Sequence, residues 1–216
     1  MVCDAPQKSP QWYIDRLGRV TGSKASCVTA KNRAGTAEGF TRADYRMDLV
    51  LERITGTPAE PSFAETKEIA WGNEQEPMSR MAYDIRTGLD LTTSGFVYWP
   101  DLMVGTSVDA FVVDENGRRG FWESKSPKSR THLAYLLANA LPAEYTPQVI
   151  HSFWVTDCEF CDFQSFDPRM PENLRVFIKR IERAEVLDQI KTHEAAVLQF
   201  LMEVDAAEKQ MRLLAP

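Results

Sequence analysis

Asp109, Glu123 and Lys125 are the residue types that metal-assisted cleavage of a phosphodiester requires: two hard oxygen donors and an amine. Side chains alternate along a strand, so in Phe121-Trp-Glu-Ser-Lys125 the acid and the amine share one face, with Trp122 and Ser124 on the other. Asp109 lies fourteen residues before Glu123, at the far end of an apolar stretch, and Asp114-Glu-Asn-Gly117 supplies a turn between them. A hairpin brings all three together. Mg²⁺ or Mn²⁺ binds carboxylate oxygen, and two such ions can clamp the attacking water and the leaving oxygen of an in-line displacement. Asp109 and Glu123 are the candidate ligands. Lys125 is the candidate to orient or deprotonate the water, or to offset charge growing on the phosphate. An acid-x-Lys triplet at a strand edge is more often a solvated surface pair, so the rest of the chain has to decide between the two.

The elements that must position these residues follow from hydrophobic periodicity. Helices are expected over about 9–17, 22–31, 41–55 and 63–86, then strands near 94–99, 102–113 and 119–126. A helix over 129–140 ends before Pro142, strands follow near 147–156 and 160–166, and a long helical tail closes the chain. In that tail Leu174, Phe177, Ile181, Ala184, Leu187 and Ile190 recur at three- and four-residue intervals, as do Val197, Leu201 and Val204. The order suits an α/β core, a mixed central sheet flanked by helices with the site at one sheet edge. No repeat, linker or low-complexity tract divides it, so residues 1–216 read as one domain.

Composition bounds the function classes. At 216 residues the chain can bury roughly 70% of its unfolded surface. The content is 44% hydrophobic and 26% charged, and no apolar run approaches the roughly 20 residues that span a bilayer. The start, Met-Val-Cys-Asp-Ala-Pro, lacks the basic and apolar regions of a signal peptide, so the expected location is cytoplasmic. The net charge of −6 is unequally spread: residues 1–53 hold nine Lys/Arg against six Asp/Glu, the remainder sixteen against twenty-five. Lys125, Lys128 and Arg130 add a basic cluster just past the candidate site, so phosphate contacts can be local on an acidic body. Scattered solubilising charge is the plainer reading. Cys158-Glu-Phe-Cys161 has a metal-ligand spacing but no second pair, and reduced, partly buried thiols are expected rather than a zinc or iron–sulfur site. His132, His151 and His193 show no ligand pattern.

Several blocks, in order, resemble the phage lambda exonuclease and YqaJ-type viral recombinase family of two-metal nucleases. They are Arg16-Leu-Gly-Arg-Val-Thr-Gly-Ser23, Ala70-Trp-Gly-Asn-Glu-Gln-Glu76, Thr106-Ser-Val-Asp109, Glu123-Ser-Lys-Ser-Pro127, Tyr145-Thr-Pro-Gln148, Ser152-Phe-Trp-Val-Thr156 and Phe166-Asp-Pro-Arg-Met170. The resemblance implies a restriction-endonuclease-like PD-(D/E)xK core with a long C-terminal helix. It implies that Asp109 and Glu123 bind metal, that Glu76 helps hold the second ion, that Lys125 positions water and that Gln148 closes the active-site motif. Arg16, Ser23 and Ser107 resemble the grip on a terminal 5′ phosphate, Ile69 an apolar wedge that splits the terminal base pair, and Arg33 an arginine that tracks the downstream duplex.

Each borrowed role has a plainer counterpart. Glu76 falls in a helical segment where glutamate is ordinary; Gln148 can cap a strand; Ser23 can cap a helix, which is compatible with anion binding; Ile69 can be core. The family's Ser-Pro-Asp-Gly reads Ser-Val-Asp-Ala here and its Glu-Leu-Lys-Cys-Pro reads Glu-Ser-Lys-Ser-Pro, with the charged positions kept. A second glutamine two residues after Gln148 is replaced by Ile150. The implied activity is a Mg²⁺-dependent 5′-to-3′ exonuclease on linear duplex DNA, releasing mononucleotides and leaving a 3′ overhang for recombination. A homotrimeric ring and a single-strand annealing protein as partner come with the resemblance. The rivals are an endonuclease on the same core and a DNA-end-binding protein that no longer turns over.

Overall fold

The turn expected at 114–117 closes a hairpin. Strands β5 (Ala110–Val113) and β6 (Arg119–Lys125) pair antiparallel, with Ala110 opposite Trp122 and Val113 opposite Arg119. Asp114 Oδ1 accepts from the N–H groups of Asn116 and Arg118, both at 3.0 Å, and Gly117 adopts the left-handed φ of 78° that L side chains rarely take. One step beyond the Ala110–Trp122 pair, the register sets Asp109 opposite Glu123.

The computed structural model describes residues 5–59 and 67–214. In it the hairpin is the middle of a five-stranded sheet in the order β2 (Leu91–Thr93), β5, β6, β7 (Phe160–Phe166) and β8 (Val176–Glu182), with only β6 and β7 parallel. A smaller sheet has the order β1 (Val20–Thr21), β4 (Val104–Thr106), β3 (Val97–Tyr98). The helices are α1 (Pro10–Arg16), α2 (Phe40–Thr55), α3 (Lys67–Thr87), α4 (Ser129–Ala138), α5 (Thr146–Thr156) and α6 (Leu187–Leu214), with a 3₁₀ helix at Gly22–Thr29. Helix α3 lies on one face of the large sheet, where the Tyr83 and Trp122 rings are 6.0 Å apart. Helix α5 lies on the other, its Phe153 edge-on to Phe121 at 5.0 Å. Each of these four side chains is fully buried, which is worth roughly 2 kcal/mol apiece. None of the described helices is long and apolar enough to cross a membrane.

Five expectations differ from the structure. The segment 147–156 is helix α5, not a strand, because Val149 to Thr156 are buried on every side and leave no alternation or stripe to tell the two apart. Thr146-Pro147 at its start and Asp157, left-handed at φ 55°, at its end are the signals that favour the helix. The tail does not become α-helical until Leu187: Val176–Glu182 forms β8, and the four-residue spacing of Phe177 and Ile181 fits a period of two as well as one of 3.6. The expected strand over 102–113 is two strands in different sheets, β4 and β5, joined by Ser107-Val-Asp109. That over 94–99 shrinks to β3, with β2 ahead of it. The helix expected at 22–31 is the 3₁₀ helix, and positions 63–66 of another lie outside the described residues.

Candidate active site

The link between β4 and β5 sets up the site. Val108 is fully buried, so Ser107 and Asp109, one residue to either side, both turn toward the opposite, open side. Asp109 Oδ2 accepts from the Ser124 N–H at 2.8 Å, which locks it to β6. Glu123 is buried at 1% exposure, and its two oxygens are treated differently. Oε1 accepts from Lys125 Nζ and from Gln148 Nε2 at 2.6 Å. Oε2 has no partner, and among the described residues it is the one buried side-chain oxygen left so. Burial pushes the Glu123 carboxyl up to about 7, the Lys125 ammonium opposing the rise and the Asp109 charge adding to it. Burial also raises Asp109, against Lys125 and the Ser124 N–H, with Glu76 adding repulsion. Lys125 itself is pulled down by burial, but Glu123 and Asp109 outweigh that and hold it as an ammonium.

Glu76 lies on α3, one helical turn before Arg80, whose Nε donates to Glu76 Oε1 at 3.1 Å and whose Nη2 donates to the Asp109 carbonyl at 2.6 Å. Arg80 thus tethers Glu76 beside Asp109. Among the described residues no three His, Cys, Asp or Glu side chains converge closely enough to form a metal cage by themselves. The donor set nevertheless fits a hard divalent cation: the buried Glu123 and the half-buried Asp109 carboxylates repel each other across the hairpin, and one Glu123 oxygen is desolvated without a donor. A cation there removes both penalties.

Asp109, Lys125, Glu76 and Ile69 line a cleft of about 820 Å³ that also holds Trp71 and Arg169. A second cleft of about 540 Å³, lined by Trp12, Arg16 and Lys24, adjoins it, and Ile69 and Asn73 line both. Ile69 is 52% exposed, on the first turn of α3. Behind the Trp12 and Arg16 of that second cleft, Ser107 Oγ accepts from Trp12 Nε1 at 2.9 Å and from Arg16 Nη1 at 3.4 Å, and the Arg16 guanidinium lies 4.1 Å over the Trp12 ring. Burial lowers the Arg16 pKa, against the nearby Tyr45 and Glu52, and Arg16 has no salt bridge among the described residues. A half-buried cation in this state is a receptor for an anion.

The structure therefore brings together Asp109, Glu123, Lys125 and Gln148, with Glu76 alongside, and separately Arg16 with Ser107. Ser23 is exposed on the first turn of the 3₁₀ helix, next to Lys24 of the cleft wall, and Arg33 is exposed in the loop between that helix and α2. Sequence reasoning did not single out Trp12, Arg80 or Tyr145, whose ring lies 5.3 Å from Lys125 Nζ. Trp12 and Tyr145 flank or sit within the motif blocks, which was the available signal; Arg80 had none beyond its spacing of four from Glu76. Cys158 and Cys161 are fully buried free thiols, and burial raises both. His151 and His193 contact each other at 2.9 Å, a pairing with no signature in the sequence.

Two crystal structures of LHK-Exo, an alkaline exonuclease from Laribacter hongkongensis, align with 96% of this chain and all of theirs, at 30% identity and TM-scores of 0.78 and 0.77. One of them is in complex with dAMP. A phage-related exonuclease from Haemophilus somnus 129PT, 17% identical, aligns with 89% of this chain and 96% of its own at a TM-score of 0.60, a likeness of fold. Fold and site together define an exonuclease-like protein of the alkaline and phage type. Residues 11–159 match the YqaJ-like viral recombinase domain, and the chain belongs to that family. No curated protein sequence matches it.

Proposed function

We propose that this protein is a Mg²⁺-dependent exonuclease, Mn²⁺ serving as well, that removes mononucleotides from the 5′ ends of linear duplex DNA. It leaves a 3′ overhang for a single-strand annealing protein, and three copies close into a ring around the DNA. The observation that carries the reading is Glu123: a buried carboxylate with one oxygen accepting two hydrogen bonds and the other bare, beside Asp109 and Lys125 of a cleft that adjoins a cationic one. The LHK-Exo complex with dAMP supports a mononucleotide product.

Asp109 and Glu123, with Glu76 beside them, would hold the cation. When bound, it supplies Lewis-acid neutralisation of the scissile phosphate and an acidic water. The remaining work falls to the chain. Gln148 and Lys125 fix the Glu123 carboxylate by one oxygen and leave the other without a donor. Lys125, held as an ammonium, acts by offsetting negative charge on the phosphate rather than by taking a proton. Arg16 and Ser107 seat the terminal 5′ phosphate, Ser23 completes that pocket, and Ile69, between the two clefts, separates the terminal base pair. Arg33 follows the duplex beyond.

Linear duplexes labelled at either the 5′ or the 3′ terminus, incubated with and without Mg²⁺ beside a covalently closed circle, test this. Early release of the 5′ label, dependence on Mg²⁺ and an intact circle are expected. A cut circle would make the protein an endonuclease, and DNA binding without nucleotide release would make it an inactive end-binding protein.

A further inference from the structure

Arg169 belongs to a motif block, Phe166-Asp-Pro-Arg-Met170, to which the proposed chemistry gives no task, yet its side chain lines the same cleft as Asp109 and Lys125. It is held with unusual completeness for a half-exposed arginine. Asp167, with no exposed side-chain surface, accepts from Arg169 Nε at 2.7 Å and from Nη2 at 3.1 Å, and takes the Arg169 backbone N–H at 3.0 Å as well. Nη2 also donates to the Pro127 carbonyl, two residues past Lys125, at 3.1 Å. Ser129, the first residue of α4, also hydrogen-bonds to Asp167. The guanidinium then lies 4.9 Å over the ring of Trp71, which stands on α3 between Ile69 and Glu76.

Most of the rotamer freedom of a long side chain is already spent in this arrangement, and a planar donor is aimed along the cleft wall. Nη1 makes no hydrogen bond among the described residues, and 47% of the side chain is open. A salt bridge that served only the fold would gain little from leaving the cation's outer edge in a cleft, because exposed pairs contribute little to stability. A rigid, stacked guanidinium beside two lysines, Lys125 and Lys128, is a phosphate receptor. We infer that Arg169, pinned by Asp167 and Trp71, grips a backbone phosphate of the strand being cut, a contact separate from the terminal phosphate at Arg16. The inference rests on the nuclease reading above for the identity of the ligand as DNA.

Arg169→Gln tests it, with Arg169→Lys as the companion variant that keeps the charge and the bond to Asp167 but loses the planar fork. Binding of a fluorescent 5′-phosphorylated duplex is measured in EDTA over a range of NaCl, and its degradation in Mg²⁺. For Arg169→Gln the expected result is Kd and KM raised about fivefold to tenfold at low salt, kcat within about twofold, and a salt slope shallower by up to about one. Arg169→Lys should recover part of the loss, and if Arg169→Gln does not fold, its own roughly twofold to threefold rise in Kd carries the test. Unchanged Kd, KM and salt slope in the folded variants would overturn the inference, as would a loss confined to kcat. Should the wild type bind DNA through Arg169 and release no nucleotide, the exonuclease reading falls and the phosphate contact stands. Should it degrade DNA with Arg169→Gln indistinguishable, the opposite holds.

Discussion

Two buried carboxylates stand on the same pair of strands and face opposite ways. Asp162 on β7 pairs with Trp122 in the register and points toward α3; Glu123 on β6 pairs with Phe163 and points toward α5. Both are nearly inaccessible, at 2% and 1% exposure. Asp162 is complete: Arg180 Nε binds Oδ1 at 2.8 Å, while Arg180 Nη2 at 2.7 Å and Tyr83 OH at 2.6 Å bind Oδ2. Glu123 has both of its donors on one oxygen. A fully bonded ion pair holds the sheet together, whereas a half-bonded carboxylate retains binding energy for something that arrives later. On the proposed reading, the location of function follows from which acid is left unfinished, since burial alone is the same for the two.

Substitution should break that contrast in opposite directions. Glu123→Ala or Asp109→Ala is expected to lower the nuclease rate at least about 100-fold with the fold kept, because it removes a proposed cation ligand. Asp162→Ala should instead cost about 3 to 5 kcal/mol in denaturant unfolding, by stranding Arg180 and Tyr83, and leave the rate per folded molecule nearly unchanged. If Glu123→Ala unfolds as readily as Asp162→Ala, the two acids do the same job and the distinction is lost. Next in size, Arg16→Ala should reduce the preference for 5′-phosphorylated over 5′-hydroxyl ends by about tenfold, read from the ratio of kcat/KM on the two substrates.

Adding Mg²⁺ sharpens the same comparison. At about 100 times its Kd the ion stabilises the native state by about 2.7 kcal/mol, so the wild type should melt higher, and Glu123→Gln should not respond. The smallest effect is on pH. Glu123, with its pKa raised to about 7, is protonated below that value and then competes poorly for metal, so the rate should fall as pH drops through 7. Because the ion displaces the proton, the fall should move to lower pH as Mg²⁺ is raised. A pH profile indifferent to Mg²⁺ would detach Glu123 from the metal.

Stability carries its own pH signature in the His151–His193 pair. Burial lowers His151 to about 3, with His193 repulsion adding to it, and lowers His193 to about 4. Below the unfolded value of 6.5 the unfolded chain takes up protons that the native pair refuses, so stability should decline from pH 6.5 toward 4. Thermal melts between pH 7.5 and 5 would show it.

The β5–β6 hairpin was legible because its signals are local: alternation along Phe121–Lys125, a turn over 114–117 that calls for Asp and Gly, and an apolar run before it. Helix α5 was not, because a segment buried all round carries no periodic contrast, and it is the first turn of that helix that carries Gln148 to Glu123. In β8 the four-residue spacing of Phe177 and Ile181 fits a helix and a strand equally, so it does not distinguish them. The division of 102–113 between two sheets was also invisible, though the linker it leaves, Ser107 to Asp109, puts Ser107 against Arg16 and Asp109 in the carboxylate cleft.

The sequence by itself determined the residue types at the site and the shared face of Glu123 and Lys125, since a strand's period of two is a property of its own backbone. Tertiary structure alone decided that Lys125 and Gln148 spend their hydrogen bonds on one oxygen of Glu123, that the other is sealed from water, and that Ile69 and Asn73 join the two clefts. Desolvation and the count of donors around an atom depend on elements far apart in the chain, and no local pattern encodes them.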